Sequence, residues 1–473
     1  MRLWHQIENL FEVDKRALKV YRIVIGLVLL EETLIRLSDA TAFYSDNGVL
    51  PLIALESIHP YPWDWSVLLL SNNKLLLFSL FACLIASSLC IIVGRFTKAA
   101  MLVSWIGLVS LQNRNPIIYQ GGDDLLRMMV FWSFFIPWSR VEKNVGSKQL
   151  LSFSTTFLIL QLLGSFFFSA FFKGTYEWWY QGSALFYALS LDQLTRPAGL
   201  FLVKQYELTV FLTRMAYLGE FLVLPIFLIP FARTYVRGVV FLFVFTFSIT
   251  TFTFMVIGVF PLCFLAGSIL ILPSSFWSWV WPVKTEPEVD PLNEEDSFSL
   301  VEFGTNFFLI FSFMLVLIWN IQSLPSRWLF FPNALNPIVH LLKLTQSWGM
   351  FSPTVLKEDG WLIAEARLEN GERIDLMASD QKLSFLKPPY VLDRIKNDRW
   401  RKYTEQIVIP GNKRFLPEFA NYLLYNYGNT NHDKSHQIKD LKIIHMLELS
   451  KPYPYTPFLE KSLLFETSTT KSN

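Results

Sequence analysis

The sequence FFFSAFFKGTYEWWYQGSALFYALSLD, residues 166–192, ends a long apolar run with a lysine and continues with a cluster of aromatic residues. An apolar run of about 20 residues is long enough to cross a membrane as a helix. Lys173 therefore stands where such a helix would leave the bilayer, beside aromatic residues typical of the interface. A lysine at this position either anchors the helix at the interface or, if it is buried, can act as a base.

The composition of the whole chain indicates a membrane protein with a soluble part. The chain has 473 residues, of which 52% are hydrophobic, and it contains 44 Phe and 16 Trp. Charged residues make up 17%, which is below the roughly 25% of soluble domains. No block rich in Lys and Arg and no recognition motif is present, so nucleic acid is not an expected partner.

The cysteines and histidines predict neither a disulfide nor a metal site. Cys83, Cys90 and Cys263 all lie in apolar runs, where a thiol behaves as a small hydrophobic group. His432 and His436 are four residues apart, but no cysteine or acidic motif completes a zinc site around them.

Apolar segments along the first two thirds of the chain predict membrane-spanning helices. The segments are 17–37, 75–94, 98–113, 123–139, 150–172, 207–231, 238–254, 256–273 and 304–324. The stretch from Gly238 to Pro273 is too long for one crossing, so we divide it into a tight hairpin near Thr253–Pro261. No cleavage site follows the first segment, which is expected to remain as a helix. The predicted fold is an all-α polytopic transmembrane bundle of about 8–9 helices.

The positive charges between these segments predict the orientation of the bundle. If the crossings alternate, the loops rich in Lys and Arg all fall on one side, which by the positive-inside rule is the cytoplasm. These residues are Lys15, Arg16, Lys19, Arg95, Lys98, Arg140, Lys143, Lys148, Arg233 and Arg237. The N-terminus and the acidic linker KTEPEVDPLNEEDS, residues 284–297, are then cytoplasmic. The segment after Gln322 is extracytoplasmic.

The remainder of the chain has the pattern of a small α+β domain. WLIAEARLENGERIDLMA, residues 361–378, contains two strand-like runs around Asn370-Gly371, which is a strong β-hairpin signal. LPEFANYLLYNY, residues 416–427, has the pattern of an amphipathic helix. We therefore divide the chain into a transmembrane domain, 1–324, and a C-terminal extracytoplasmic domain, 325–473. The aromatic residues and Met350 of QSWGMFSP, 346–353, are expected to pack this tail onto the bundle.

Polar residues within the predicted spans are the main candidates for a functional site, because charges in a membrane are costly. With the orientation above, they converge on the outer half of the bundle or its middle, and we predict a polar cavity open to the outside. These residues are Glu31, Glu32, Arg36, Asn113, Asn115, Asp123, Asp124, Arg127, Lys173, Arg214 and Glu220.

Internal pairing is the structural alternative for several of these residues. Glu32 and Arg36 have the i,i+4 spacing that places both side chains on one face of a helix, and Asp123 and Arg127 have the same spacing. Gly121-Gly122 permit a tight turn into the fourth segment, and one of the two following aspartates can cap that helix.

Several motifs follow one another in order along the chain. They are the Arg22 helix followed by YSDNGVLP (44–51), NRNPIIYQGGDDLLR (113–127), FFKGTYEWWYQGSALFYALSLD (171–192) and TRMAYLGEFLVLP (213–225). Together they resemble the HTTM domain, the membrane domain shared with vitamin K-dependent gamma-carboxylases. TQSWGMFSPTVLKEDGW (345–361), followed by a β-rich segment, resembles the tail of many bacterial members. The resemblance covers about residues 10–460 and implies a location in the bacterial inner membrane.

The resemblance implies that Lys173 is a catalytic base. In the carboxylases, a membrane-embedded lysine deprotonates reduced vitamin K, oxygen then yields an alkoxide that removes a glutamate γ-proton, and the carbanion takes CO2. Lys173 lies six residues before Trp179 and nine before Gly182, which matches the first of two adjacent lysines in that family. Gly174 stands in place of the second lysine, which is the catalytic one in that family, and Pro116 stands where the carboxylases have a histidine.

Three functional hypotheses follow for this integral membrane protein. The first is a carboxylase-like or epoxidase-like enzyme that uses Lys173 on reduced vitamin K or another quinol. Its expected substrate-binding residues are Asn113, Asn115, Asp123, Asp124, Arg127, Trp179, Arg214 and Glu220. The second is a non-catalytic scaffold or maturation factor for a secreted peptide or protein, as in some HTTM proteins. The third is a transporter, which broken apolar segments such as Thr253–Pro261 would fit. Membrane lipids are expected partners in each case.

Overall fold

The computed structural model describes residues 9–58, 61–142, 149–282, 300–326, 329–430, 437–451 and 457–468. The acidic linker 284–297 and the pair His432 and His436 lie outside the described residues.

Helices dominate the described chain up to residue 323, and each predicted apolar segment is helical. The helices are α1 (Lys15–Leu37), α2 (Ala40–Tyr44), α3 (Leu52–Glu56), α4 (Lys74–Val93), α5 (Thr97–Arg114), α6 (Gly121–Phe134), α7 (Trp138–Glu142), α8 (Phe153–Phe172), α9 (Ala184–Ser190), α10 (Pro197–Val203), α11 (Tyr206–Phe227), α12 (Arg233–Phe254), α13 (Phe260–Ile271), α14 (Ser274–Val280) and α15 (Leu300–Ser323). A short two-stranded ribbon pairs β1 (Val13–Asp14) with β2 (Gln149–Leu150).

Five of the described helices are long and apolar enough to cross a membrane: α4, α8, α11, α12 and α15. The pair α13 and α14, bent by 90°, would make a sixth. α1, α5 and α6 lie at predicted spans but do not meet this criterion; α1 carries charged residues at both ends, and α6 has only 14 residues. The predicted hairpin break is confirmed, since α12 ends at Phe254 and α13 begins at Phe260.

Local capping and close packing explain where several helices begin, end and touch. The side chains of Asp14, Asn73 and Ser152 accept hydrogen bonds from the first turns of α1, α4 and α8. Gly94 ends α4 in the left-handed conformation that glycine adopts without strain. A Cβ at Gly26 of α1 would lie 2.8 Å from Ile92 Cγ1, so glycine allows α1 to pack closely on α4.

The tail is an α+β unit around a four-stranded antiparallel sheet with strand order β4-β3-β5-β6. Its elements are α16 (Asn336–Leu341), β3 (Glu358–Leu368), β4 (Arg373–Asp375), α17 (Asp398–Ile407), α18 (Leu416–Thr430), β5 (Ile438–Leu449) and β6 (Phe458–Ser468). The predicted hairpin at Asn370-Gly371 is confirmed, because β3 and β4 pair on either side of it and Gly371 has φ +88°. The predicted amphipathic helix is α18.

The segment between α16 and β3 packs the tail onto the bundle, as the sequence predicts. Trp348 is buried in the main core of the bundle, and Met350 packs against the same core. A Cβ at Gly121 would lie 2.7 Å from Met350 Sδ, and a Cβ at Gly122 would lie 2.8 Å from the backbone nitrogen of Phe260. Close packing, rather than a tight turn, therefore requires the two glycines at the start of α6.

Arg399 of α17 enters the bundle and joins a buried group of charges. Its guanidinium donates to both carboxylate oxygens of Asp123 at 2.8 Å and also to Glu32. Arg36 of α1 pairs with the same two carboxylates. All four side chains are almost completely buried, so this quartet contains two positive and two negative charges away from water.

Replacing Arg399 with methionine should destabilise the protein by about 3–5 kcal/mol, because Glu32 and Asp123 would then share one guanidinium in a buried site. The measurement is thermal or denaturant unfolding of the purified protein in detergent. Arg367→Met is the matched control, since Arg367 is exposed on β3. Equal effects of the two substitutions would contradict a stabilising role for the buried quartet.

Candidate functional site

The predicted polar residues divide into separate groups of contacts rather than lining one open cavity. Asp123 belongs to the quartet with Arg36 and Arg399, and its Oδ2 also accepts the backbone N–H of Gln120 at 3.0 Å. It therefore caps α6 from inside the first turn, in a capping box with Gln120. The predicted pairing of Glu32 with Arg36 is confirmed.

The predicted pairing of Asp123 with Arg127 is wrong. Arg127 pairs instead with Asp124, three residues before it, at 2.7 Å. The quartet already occupies Asp123, and Arg127 points toward the tail, where it donates to the backbone oxygens of Lys343 and Thr345 at 2.9 and 2.5 Å. Asp124 and Arg127 therefore hold the tail segment that leads to β3.

The two predicted asparagines make internal hydrogen bonds. Asn113 Nδ2 donates to the backbone oxygen of Trp65 at 2.7 Å, and Asn115 Nδ2 donates to that of Phe43 at 2.9 Å. Asn115 Oδ1 also accepts the backbone N–H of Ile117 at 3.2 Å. Both side chains are buried, and both hold the polypeptide between α1 and α4 against the end of α5.

Asn113 also lines a small polar cavity of about 120 Å³ with Asp64 and Lys343. Lys343 Nζ lies 3.4 Å from Asp64 Oδ1, and His340 Nδ1 lies 3.1 Å from the same oxygen. Burial lowers the pKa of the Lys343 ammonium, although Asp64 opposes this shift. Burial would raise the pKa of Asp64, but the hydrogen bond with His340 and the charge of Lys343 outweigh it and lower that pKa.

Lys173 is a buried residue at the end of α8. It is 7% exposed, its Nζ donates to Glu220 Oε2 of α11, and it lies 4.1 Å from the ring centroid of Trp178. Glu220 is 4% exposed. An interfacial anchor would extend its ammonium group into water, so this geometry is that of a buried amine paired with a carboxylate.

The turn after Lys173 is joined to the tail. The backbone N–H of Gly174 donates to the backbone oxygen of Pro353 at 2.7 Å, and Trp178 Nε1 donates to that of Phe351 at 3.2 Å. A Cβ at Gly174 would lie 2.6 Å from Pro353 O. A second lysine would therefore not fit at this position without movement of the tail.

Trp179 and Arg214 stabilise the same turn, whereas the described ion pair and ring contact of Lys173 are with Glu220 and Trp178. Arg214 Nε donates to the backbone oxygen of Trp179 at 3.0 Å, and its Nη2 donates to that of Tyr180 at 2.9 Å. The Trp179 side chain is 39% exposed, whereas Trp178 covers the lysine. The resemblance to the carboxylase motif favours Trp179 because of its spacing from Lys173, and the sequence contains no signal that distinguishes Trp178.

A cavity of about 450 Å³ lies between the bundle and the tail; we refer to it as the interface cavity. Its lining is mixed, with apolar contributions from Phe260 and Met350 and polar ones from Gln120, Asp124 and Arg401. Of the residues predicted to bind substrate, only Asp124 lines this cavity in the described chain. The predicted single cavity is therefore replaced by a cleft that the tail covers.

Lys173 does not line the interface cavity in the described structure, but the chain segment next to it does. Phe351 and Ser352 contribute to the cavity wall, while Phe351 and Pro353 hold the turn that follows Lys173. Residues 351–353 therefore connect the wall of the cavity with the turn that follows Lys173.

Arg399 is the most important residue that the sequence analysis missed. It lies in DRWRKYTEQI, residues 398–407, a short charged helix that resembles a solvated surface element. Its partners are 276 and 367 residues away in sequence, so no local pattern marks it as buried.

Comparison of the sequence with protein-family models gave no match, and neither did comparison with curated proteins or with solved structures. The relationship to the HTTM domain therefore stays a prediction.

Amine labelling of the native protein should distinguish Lys173 from an exposed lysine. We expect Lys173 to react roughly tenfold or more slowly than Lys204, because reaction requires a local opening that exposes the buried amine. Lys204, which is exposed between α10 and α11, is the internal control. Time-resolved labelling followed by mass spectrometry measures both rates. Equal rates would indicate that Lys173 is an interfacial anchor.

Proposed function

We propose that the chain is an integral membrane protein and a carboxylase-like enzyme, in which Lys173 and Glu220 form a proton-transfer pair. The five long apolar helices support a membrane location, and the motifs that resemble the HTTM domain support the superfamily. We further propose about 8–9 membrane crossings. The distribution of positive charge supports a cytoplasmic N-terminus and an extracytoplasmic tail. A bacterial inner membrane is the proposed location, from the resemblance.

The burial of the Lys173–Glu220 pair is the observation that carries this proposal. In a medium of low dielectric constant, an ammonium beside a carboxylate can pass its proton to the carboxylate, and both groups are then neutral. The neutral amine can accept a proton from a substrate hydroxyl at Nζ. The product of this step would be an ammonium at Lys173 beside a substrate oxyanion, and the Glu220 carboxyl, which still holds its proton, would accept a hydrogen bond from that ammonium through its carbonyl oxygen.

The lining of the interface cavity suits reduced vitamin K or another quinol in chemical character. Phe260, Met350 and Phe351 offer apolar and aromatic contacts for a ring, and Gln120 and Arg401 offer polar contacts for its oxygens. A bound quinol would supply an acidic hydroxyl and the reducing equivalents of the carboxylase-like reaction, in which oxygen would be the oxidant. Segment 351–353 would exclude water from Lys173 when closed and admit the hydroxyl when displaced.

A scaffold or maturation role is the second candidate, and the internal pairing of the polar residues favours it. Asp123, Arg127 and Asn115 all have partners within the chain, and these contacts hold the tail and the polypeptide between α1 and α4. Such contacts suit a rigid platform that presents the tail to a secreted peptide or protein.

Substitution of the buried pair tests the enzyme proposal. Lys173→Met with Glu220→Leu should retain the fold, because apolar residues of similar size can replace a buried ion pair with little loss of stability. We expect it to abolish turnover of a reduced quinone by protein in nanodiscs, measured by chromatography of the quinone products. Lys204→Met is the control, with unchanged turnover expected.

Wild-type turnover that persists in the double variant would contradict a role for Lys173 as the base. Absence of any quinone turnover in the wild type, together with cross-linking of a secreted peptide or protein to the tail, would favour the scaffold role.

A further inference from the structure

A cluster of carboxyl groups joins the tail sheet to the loop after α9. The carboxyl cluster consists of Asp192, Asp359, Glu448 and Lys387. The Asp359 carboxylate accepts the backbone N–H of Asp192. Lys387 Nζ pairs with Asp192 and donates to Glu448 Oε1 at 2.8 Å. Asp359 of β3 lies directly opposite Glu448 of β5 in the sheet. The cluster therefore couples the loop to the sheet both through Lys387 and through the hydrogen bond from Asp192 to Asp359.

The charges of the carboxyl cluster do not balance when every carboxyl group is ionised. Three carboxylates would then face the single ammonium of Lys387. The neighbouring Lys357 pairs with Glu177 at 2.7 Å. Burial lowers the pKa of His445, near Gly360, to about 4, so its imidazole adds no charge at neutral pH.

Asp359 is the member of the carboxyl cluster that is best placed to hold a proton. It is 3% exposed, and its Oδ1 has no hydrogen-bond partner among the described residues. Burial raises the pKa of Asp359 to about 7, and the charges of Asp192 and Glu448 act in the same direction, while hydrogen bonds from Gly360 and Asp192 oppose them.

The residues of the carboxyl cluster do not themselves line the interface cavity in the described chain, but their neighbours in sequence do. Leu191 and Gln193, on either side of Asp192, line that cavity, and so does Leu356, three residues before Asp359. Separation of Asp192 from Asp359 would consequently move the loop and the start of β3 apart at the cavity wall.

We propose that Asp359 is a proton-sensitive latch that closes the interface cavity when protonated and loosens it when ionised. The inference rests on the proposed function only in taking this cavity as the substrate site. When Asp359 is protonated, Lys387 has two carboxylates to neutralise, those of Asp192 and Glu448. The neutral Asp359 carboxyl group does not repel either of them. Ionised Asp359 adds repulsion and the cost of a buried charge.

The direction of the pH dependence follows from proton linkage. The closed latch has a pKa of about 7 at Asp359, whereas an open, solvated aspartate has about 3.9. The closed form binds the proton more tightly than the open form. The bound proton therefore stabilises the closed form fully below about pH 4, and this stabilisation is lost as the pH rises through about 7. Between pH 6 and 8 the equilibrium constant for opening of the latch should increase about tenfold, and above pH 8 it should change little.

Hydrogen exchange of the full-length protein in nanodiscs tests this inference. After correction for the intrinsic exchange rate, protection of the amides of residues 191–194 should fall about tenfold between pH 6 and 8. Asp359→Asn should make the protection independent of pH, since its amide remains neutral throughout. Glu358→Gln is the matched control, because it removes one carboxylate at an exposed neighbouring position and should retain the wild-type dependence.

A second variant keeps the test decisive if Asp359→Asn folds poorly. Glu448→Gln removes one of the repelling charges, so the loss of protection should be complete at a lower pH than in the wild type. Wild-type protection that does not change with pH, or a dependence that persists in Asp359→Asn, would overturn the proposal. The exchange measurement needs no substrate, so its outcome is independent of whether Lys173 is a catalytic base.

Discussion

The arrangement of this chain depends on a buried quartet of charges in which Glu32 and Asp123 meet Arg36 and Arg399. The first three residues come from two helices of the bundle, and the fourth comes from the tail. Without Arg399, two carboxylates would share one guanidinium at a site closed to water. Transfer of an unpaired charge from water into such a site is costly, so the bundle and the tail stabilise each other. The tail thus contributes to the interior of the bundle and is not merely attached to its end.

Docking of the tail also determines the surroundings of Lys173. The turn after this lysine is held by backbone contacts from residues 351–355, and the close approach of Pro353 leaves no room for a side chain at position 174. The same segment contributes Phe351 and Ser352 to the wall of the interface cavity. In the proposed mechanism, movement of this segment would give a substrate in the cavity access to Lys173. A proton-sensitive contact at Asp359 would place that change under the control of pH.

Local patterns in the sequence predict much of the fold. Apolar runs mark the helices, the break between Phe254 and Phe260 follows from length, and Asn370-Gly371 marks the hairpin. The i,i+4 spacing predicts the pairing of Glu32 with Arg36. The apolar content of the runs does not determine how many of them cross a membrane, because helices such as α1 combine an apolar face with buried charges.

The partners in the candidate site are less predictable, because they join residues that are far apart in sequence. Spacing alone suggests that Asp123 pairs with Arg127, but Arg399 reaches Asp123 from 276 residues away and Arg127 turns to Asp124. The choice of Trp178 over Trp179 as the ring beside Lys173 depends on the π-helical turn Tyr176–Tyr180, which the motif does not indicate. Position in a three-dimensional network, rather than residue type, assigns these roles.

A double-mutant cycle between Asp123 and Arg399 would test the coupling of bundle and tail. Unfolding free energies would be measured in detergent for the wild type, Asp123→Asn, Arg399→Met and the double variant. A direct buried contact predicts an interaction energy of about 1–3 kcal/mol, with the double variant less destabilised than the sum of the single ones. Additive effects within about 0.5 kcal/mol would show that the two residues act independently and would contradict this account.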